Sequence, residues 1–142
     1  MGLHDVRRPV PRFEEQTLKA PRFRVLLADD VANLRVLVRL ALELHGPFEV
    51  VAEAENGAEA VERAREFGPD LVLLDVSMPV LDGIEALPAV RAAAPDAKVV
   101  VLSAFEERRL ARTAIAAGAA DYVEKGIEPR ALAARLTKLM AG

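Results

Sequence analysis

Cysteine is absent from all 142 residues, which excludes a disulfide framework and thiolate-bound metal and leaves oxygen ligands as the metal options. The same absence fits a reducing compartment. No apolar run approaches the roughly 18 residues that cross a bilayer, and the polar N-terminus lacks the apolar core of a signal peptide. A soluble, cytoplasmic protein without a membrane partner is expected. A basic excess is missing too. Residues 1–22 carry five Lys or Arg against three acids, and the remainder carries fourteen against nineteen. A broad nucleic-acid footprint needs a basic stripe, so no direct nucleic-acid contact is expected. There is no internal repeat and no second composition shift after Val25, so one folded domain over residues 23–142 is expected. Residues 1–22, with Pro9, Pro11 and Pro21 and no periodicity, bury too little apolar surface to offset ordering entropy and read as a flexible N-terminal extension. A short partner-binding segment around Val10 to Phe13 is the alternative there.

What is present is a strand-then-helix rhythm. Val25 to Ala28 is a short apolar run ending on Asp29-Asp30, and Val31 to His45 takes helical spacing up to Gly46-Pro47. Within that helix Arg35, Arg39 and Glu43 form one polar stripe, with leucines, valines and Ala41 over the rest, so it is expected to be largely buried. Phe48 to Ala54 reads as a second strand. Asn56-Gly57 with Glu59 starts a helix that Gly68-Pro69 ends. Leu71 to Leu74 is apolar without interruption, the pattern of a strand buried on both faces of a parallel sheet, and it closes on Asp75. A third helix follows Asp82-Gly83 to about Ala94, with Asp82 as its cap. Pro88 inside it removes a backbone donor at about 3 kcal/mol, which predicts a late start or a local irregularity. Lys98 to Leu102, then Glu106 to Ala117, then Asp121 to Glu124, then a helix from Pro129 through Met140 complete five units. Such alternation specifies an α/β doubly wound sheet with helices on both faces.

Each apolar run ends on a polar group: Asp29-Asp30, Asp75, Ser103, and Glu124-Lys125. In a parallel sheet these share the carboxyl edge, where open α/β sheets bind ligands. Three acids about 4 Å apart repel by roughly 4 kcal/mol per pair at an effective dielectric near 20, so they take up protons or share a cation. Oxygen donors alone favour Mg²⁺ over Zn²⁺. Asp29 and Asp30 both reach the cleft only if the strand has already turned into a loop. A carboxylate beside Mg²⁺ and a lysine is equipped for in-line attack on a phosphoryl group, giving an acyl phosphate. Ser103 then hydrogen-bonds a phosphoryl oxygen, and its strand end moves inward as a switch.

Residues 24–140 resemble the receiver domain of bacterial two-component response regulators. Asp29-Asp30 resembles the acidic pair and Asp75 the phosphoacceptor. Asp75-Val76-Ser77-Met78-Pro79 with Asp82-Gly83 follows the D-x-x-M-P-x-x-D-G run. Ser103-Ala104 resembles the Thr/Ser-Ala pair, Tyr122 the switch aromatic and Lys125 the family's lysine. The resemblance implies a flavodoxin-like sheet of order 2-1-3-4-5, and phosphoryl uptake by Asp75 from a phosphohistidine donor on a sensor histidine kinase or phosphotransfer protein. It also implies Mg²⁺ held by Asp30, Asp75 and the Ser77 backbone carbonyl, with Asp29 acting mainly through water. A downstream protein partner at the face of helix 4, strand 5 and helix 5 is implied, with a homodimer on phosphorylation as a further option. Such a chain is a signalling switch, not a metabolic enzyme, catalysing only its own phosphoryl uptake and hydrolysis. Two positions depart from or vary within the family. Gly126 stands where many members have proline, which predicts a trans peptide and a looser loop. Ser77 and Phe105 occupy positions that tune access of the hydrolytic water, and a bulky Phe105 predicts slow loss of the phosphoryl group.

Plainer roles compete with these. Ser103 and Glu106 form a capping-box pattern, S-x-x-E. Tyr122 also fits a half-buried aromatic on an edge strand, and Lys125 a surface lysine paired with Asp121 or Glu124. For the whole chain the competing functions are a Mg²⁺-dependent phosphatase, whose D-x-D and cap insertion are missing, a receiver-fold interaction module that is never phosphorylated, and a receiver fragment of a longer DNA-binding regulator.

Overall fold

The computed structural model describes residues 21–104 and 108–142, so most of the expected N-terminal extension, Phe105 and Glu106 lie outside the described residues. The elements are β1 (Phe23–Ala28), α1 (Ala32–His45), β2 (Phe48–Ala54), α2 (Gly57–Phe67), β3 (Leu71–Asp75), α3 (Gly83–Ala93), β4 (Lys98–Ser103), α4 (Arg108–Ala116), β5 (Asp121–Glu124) and α5 (Pro129–Ala141). All neighbouring strands pair in parallel in the order β2-β1-β3-β4-β5. This is the flavodoxin-like, doubly wound arrangement.

Alternation along each strand splits the core into two layers. Leu26, Val72, Leu74, Val99 and Val101 face one side, where Ala60 and Ala64 of α2, Leu87 and Val90 of α3 and Ala114 of α4 cover them. Val25, Leu27, Leu71, Leu73, Val100 and Leu102 face the other, under Leu42 of α1 and Leu132 and Leu136 of α5. Every residue of β3 is buried, which places Asp75 at the end of the best-shielded strand.

One local expectation is corrected and another is narrowed. In α1 only Ala41 and Leu42 are buried, while Leu37, Leu40 and Leu44 are 60%, 47% and 72% exposed. The cause is the polar stripe. Arg35 and Arg39 reach Glu53 on β2, and Glu43 accepts from the Val50 amide at 3.0 Å, so the stripe faces the sheet edge and turns the leucines outward. In α3 the helix begins at Gly83 and runs through Pro88 with no late start. A capping box fixes that start: Asp82 accepts from the Glu85 amide at 2.8 Å and Glu85 accepts from the Asp82 amide at 3.2 Å. Pro88 lies on the exposed side of the helix, where water can satisfy the carbonyl its missing amide leaves free.

Candidate functional site

β1 ends at Ala28, so Asp29 and Asp30 stand in the loop, as the geometry of two adjacent inward acids requires. Asp29 is 7% exposed. Its amide donates to the Ala54 carbonyl at 3.0 Å and its Oδ1 accepts from the Val31 amide at 2.9 Å, a local turn that fixes the side chain. Asp30 is exposed. Asp75, the last residue of β3, is 2% exposed. Behind it the Val76 amide donates to Leu102 at 3.0 Å and the Gly83 amide to Val76 at 3.0 Å, tying the following loop to β4 and to the first turn of α3. Gly83 is needed for that approach, because a Cβ there would lie 2.1 Å from the Asp75 carbonyl oxygen.

Lys125 closes the arrangement. Its Nζ lies 2.8 Å from Asp29 Oδ2 and 3.0 Å from Asp75 Oδ1, and its amide donates to the Ser103 carbonyl at 2.7 Å. The pairing with Asp121 or Glu124 is thereby displaced; Asp121 instead holds Arg135 at 2.7 and 2.8 Å. The Lys125–Gly126 peptide is trans, and Gly126 takes φ +114°, a conformation that favours glycine. Ser103 ends β4 fully buried, one residue past the Asp75–Leu102 register pair. Tyr122 is half-buried on edge strand β5 and packs against the core layer under α2, α3 and α4. Ser77 is exposed, and its amide donates to Asp75 Oδ1 at 3.3 Å. With Asp30, Met78, Pro79 and Asp82 it lines an open cleft. Phe105 is outside the described residues.

Burial pushes the Asp75 carboxyl above its ordinary 3.8; the hydrogen bond from Lys125 pulls it down and the Asp29 charge adds to the rise. Burial pulls Lys125 down, yet the hydrogen bonds to Asp29 and Asp75 outweigh it and hold the ammonium above its ordinary 10.5. One carboxylate oxygen from each of Asp29, Asp30 and Asp75 lies within 4.8 Å of the other two. Three carboxylates and one ammonium leave two negative charges, which match a divalent cation, and an all-oxygen donor set suits a hard one. These residues fit Mg²⁺.

Sequence reasoning missed two contacts of this neighbourhood, both made by Arg35. It donates to the carbonyl of Asp29 and, through Nε, to Glu53 Oε1 at 2.7 Å. The spacing of the α1 stripe was visible, but its partner on β2 was not.

Residues 25–137 match the response regulator receiver domain family. The chain is 44% identical over 102 residues to the chemotaxis protein CheY of Bacillus subtilis, covering 72% of this chain and 84% of that protein. The signal receiver domain of the response regulator NarL from Mycobacterium tuberculosis superposes with a TM-score of 0.81 at 32% identity, over 87% of this chain and 99% of that one. A CheX–CheY complex with BeF₃ and Mg²⁺ from Borrelia burgdorferi gives 0.77 at 25% identity, over 82% and 88%.

Proposed function

Because this chain belongs to the response regulator receiver family, whose CheY-like members are signalling proteins and not metabolic enzymes, we propose that it is a phosphorylation-controlled switch with Asp75 as phosphoacceptor. The observation that carries the reading is the buried Asp75 carboxylate, 3.0 Å from Lys125 Nζ and within 4.8 Å of two further carboxylates.

In this reading an Asp75 carboxylate oxygen attacks the phosphorus of a phosphohistidine on a kinase or phosphotransfer protein. The O–P bond forms as the P–N bond breaks, and the bonding pair leaves with the ring. Lys125, already seated between Asp29 and Asp75, moves its hydrogen bond to a phosphoryl oxygen and stabilises the developing charge. Asp30, Asp75 and the Ser77 carbonyl would hold Mg²⁺, with Asp29 contributing through water, and the ion would supply neutralisation of charge on the phosphoryl oxygens. The Ser103 hydroxyl turns to the phosphoryl group, drawing the end of β4 inward, and Tyr122 on the next strand follows the space this opens. The changed surface is the face of α4, β5 and α5, where Arg108, Arg109, Arg112, Arg130 and Lys138 are exposed and meet the downstream partner. The likeness to CheY crystallised with BeF₃ and Mg²⁺ supports the choice of ligand.

The test is incubation with Mg²⁺ and acetyl phosphate, read by intact mass and peptide mapping, with beryllofluoride binding in parallel. One phosphoryl group on Asp75, absent from Asp75→Asn, is expected. No mass gain and no Mg²⁺-dependent beryllofluoride binding overturns the reading.

A further inference from the structure

We propose that Arg35 is a positioning residue for the cation site: locked to Glu53, its guanidinium holds the peptide plane between Asp29 and Asp30 and so sets the affinity of the acidic cluster for Mg²⁺. The inference rests on the switch reading above.

Arg35 lies in the first turn of α1 with its side chain 14% exposed. One guanidinium makes both contacts, Nε to Glu53 Oε1 at 2.7 Å and Nη1 to the Asp29 carbonyl. Glu53 is itself fixed from two sides. Its second oxygen accepts from Arg39 Nη2, one turn further along α1, and its carbonyl accepts from Arg63 Nε on α2 at 3.3 Å. The rigid planar fork of an arginine suits such bridging, because it fixes the directions of both donors, whereas a lysine's ammonium rotates on a flexible stem and imposes no such geometry.

The Asp29 carbonyl matters because its peptide joins the two acids. The Asp29 amide is taken by Ala54 and its carboxylate by Val31 and Lys125. The carbonyl is the remaining handle on the direction in which Asp30 leaves the chain. Asp30 has no hydrogen-bond partner of its own for its carboxylate among the described residues, so backbone placement is what aims it. The α1 N-cap, Val31, offers no side-chain bond that would do the same work.

Charge and geometry predict opposite signs, which makes the proposal testable. Arg35 is a cation close to a cation site, so through Coulomb repulsion alone its removal would tighten Mg²⁺ binding. If it positions Asp30, removal weakens binding. Mg²⁺ is titrated into the full chain and into Arg35→Met, Arg35→Lys and Glu53→Gln. The dissociation constant is read from the unfolding midpoint and from the amide shifts of Asp30 and Val31. Phosphoryl uptake from acetyl phosphate is measured across the same Mg²⁺ range. Arg35→Met, which keeps the apolar stem, is expected to weaken Mg²⁺ binding about tenfold, the low end for partners behind a metal ligand. Its uptake rate at saturating Mg²⁺ is expected to return to within about twofold of wild type, a split that loss of folding alone would not give. Arg35→Lys and Glu53→Gln fall between, and either serves if Arg35→Met does not fold. Folded Arg35 variants that bind Mg²⁺ as tightly as wild type, or more tightly, overturn the proposal while a wild type modified at Asp75 leaves the switch reading standing. A wild type that neither binds Mg²⁺ nor accepts the phosphoryl group removes both.

Discussion

Replacing Asp75 by Asn is expected to stabilise the metal-free protein at neutral pH, and Mg²⁺ is expected to cancel or reverse that gain. At 4.8 Å, the limit within which one oxygen of each carboxylate approaches the others, a like-charge pair repels by about 3 kcal/mol at an effective dielectric near 20. The Lys125 contact at 3.0 Å attracts by about 5 kcal/mol on the same scale. Two repulsions therefore offset one attraction, and burial tips the balance against the charge, in agreement with the upward direction of the Asp75 carboxyl. The Asp75→Asn change keeps the shape, removes the charge and leaves Lys125 paired with Asp29 at 2.8 Å. A net gain of about 1–2 kcal/mol follows, or roughly 3–8 °C in the unfolding midpoint for a domain of this size. Circular dichroism at 222 nm in EDTA is the suitable probe, because the chain has no tryptophan and one tyrosine. Mg²⁺ at 100 times its dissociation constant raises wild type by about 2.7 kcal/mol, and the Asp75→Asn variant, short of one ligand, by less. The pH dependence has a fixed sign. A carboxyl raised in the folded state binds its proton more tightly there, so its contribution is full below 3.8 and is lost as pH rises through the folded value. The gap between variant and wild type should thus narrow as pH falls from 7 towards 4.5. A variant less stable than wild type in EDTA, or a gap indifferent to both Mg²⁺ and pH, refutes the reasoning.

Val80 is 82% exposed with φ 68°, a left-handed conformation disfavoured for a β-branched residue by about 1–2 kcal/mol; Val80→Gly relieves this, less about 0.4–1 kcal/mol of extra unfolded-state entropy, so a rise of a few degrees in melting temperature is expected and a fall would contradict it. Gly83→Ala places a methyl 2.1 Å from the Asp75 carbonyl oxygen, and overpacking against backbone should lower stability by about 1–3 kcal/mol and slow phosphoryl uptake; unchanged melting and unchanged uptake would show the loop yields freely. Lys125→Met leaves Asp29 and Asp75 buried at close range without a counter-charge, so EDTA should destabilise it more than wild type; equal sensitivity to EDTA would count against Lys125 as the neutralising group.

Features governed by neighbours in sequence were legible. Leu71 to Leu74 reads as a doubly buried strand because parallel strands covered on both faces lose the polar alternation, and that is how β3 is buried. The caps Asn56 and Asp82 act on amides three residues ahead, so their types suffice. Lys125 and Asp29, 96 residues apart, meet only through the topology; the polar endings of the apolar runs put both on one edge, with a pairing to Asp121 or Glu124 as the plainer rival. The rotation of α1 was not legible either. Its period was correct, yet which stripe faces inward depends on Glu53 and the Val50 amide, which offer the polar residues better partners than solvent does. At Pro88 the helix continues through the proline, and the capping box decided where it begins.

The site is uneven in a way that bears on how it works. Asp29, Asp75 and Lys125 are held by backbone contacts to β2, β4 and each other, whereas Asp30 and Ser77 line an open cleft with exposed side chains. The buried half carries an ion pair that already compensates part of its charge, so it keeps its form without a cation. The open half supplies the remaining negative charge and, in the switch reading, two of the cation's contacts. Binding then costs little rearrangement of the nucleophile and mainly orders the rim. This is why the Arg35–Glu53 contact matters: it acts where the cleft is open, on the peptide that aims Asp30, and preorganisation there raises affinity without altering Asp75 itself.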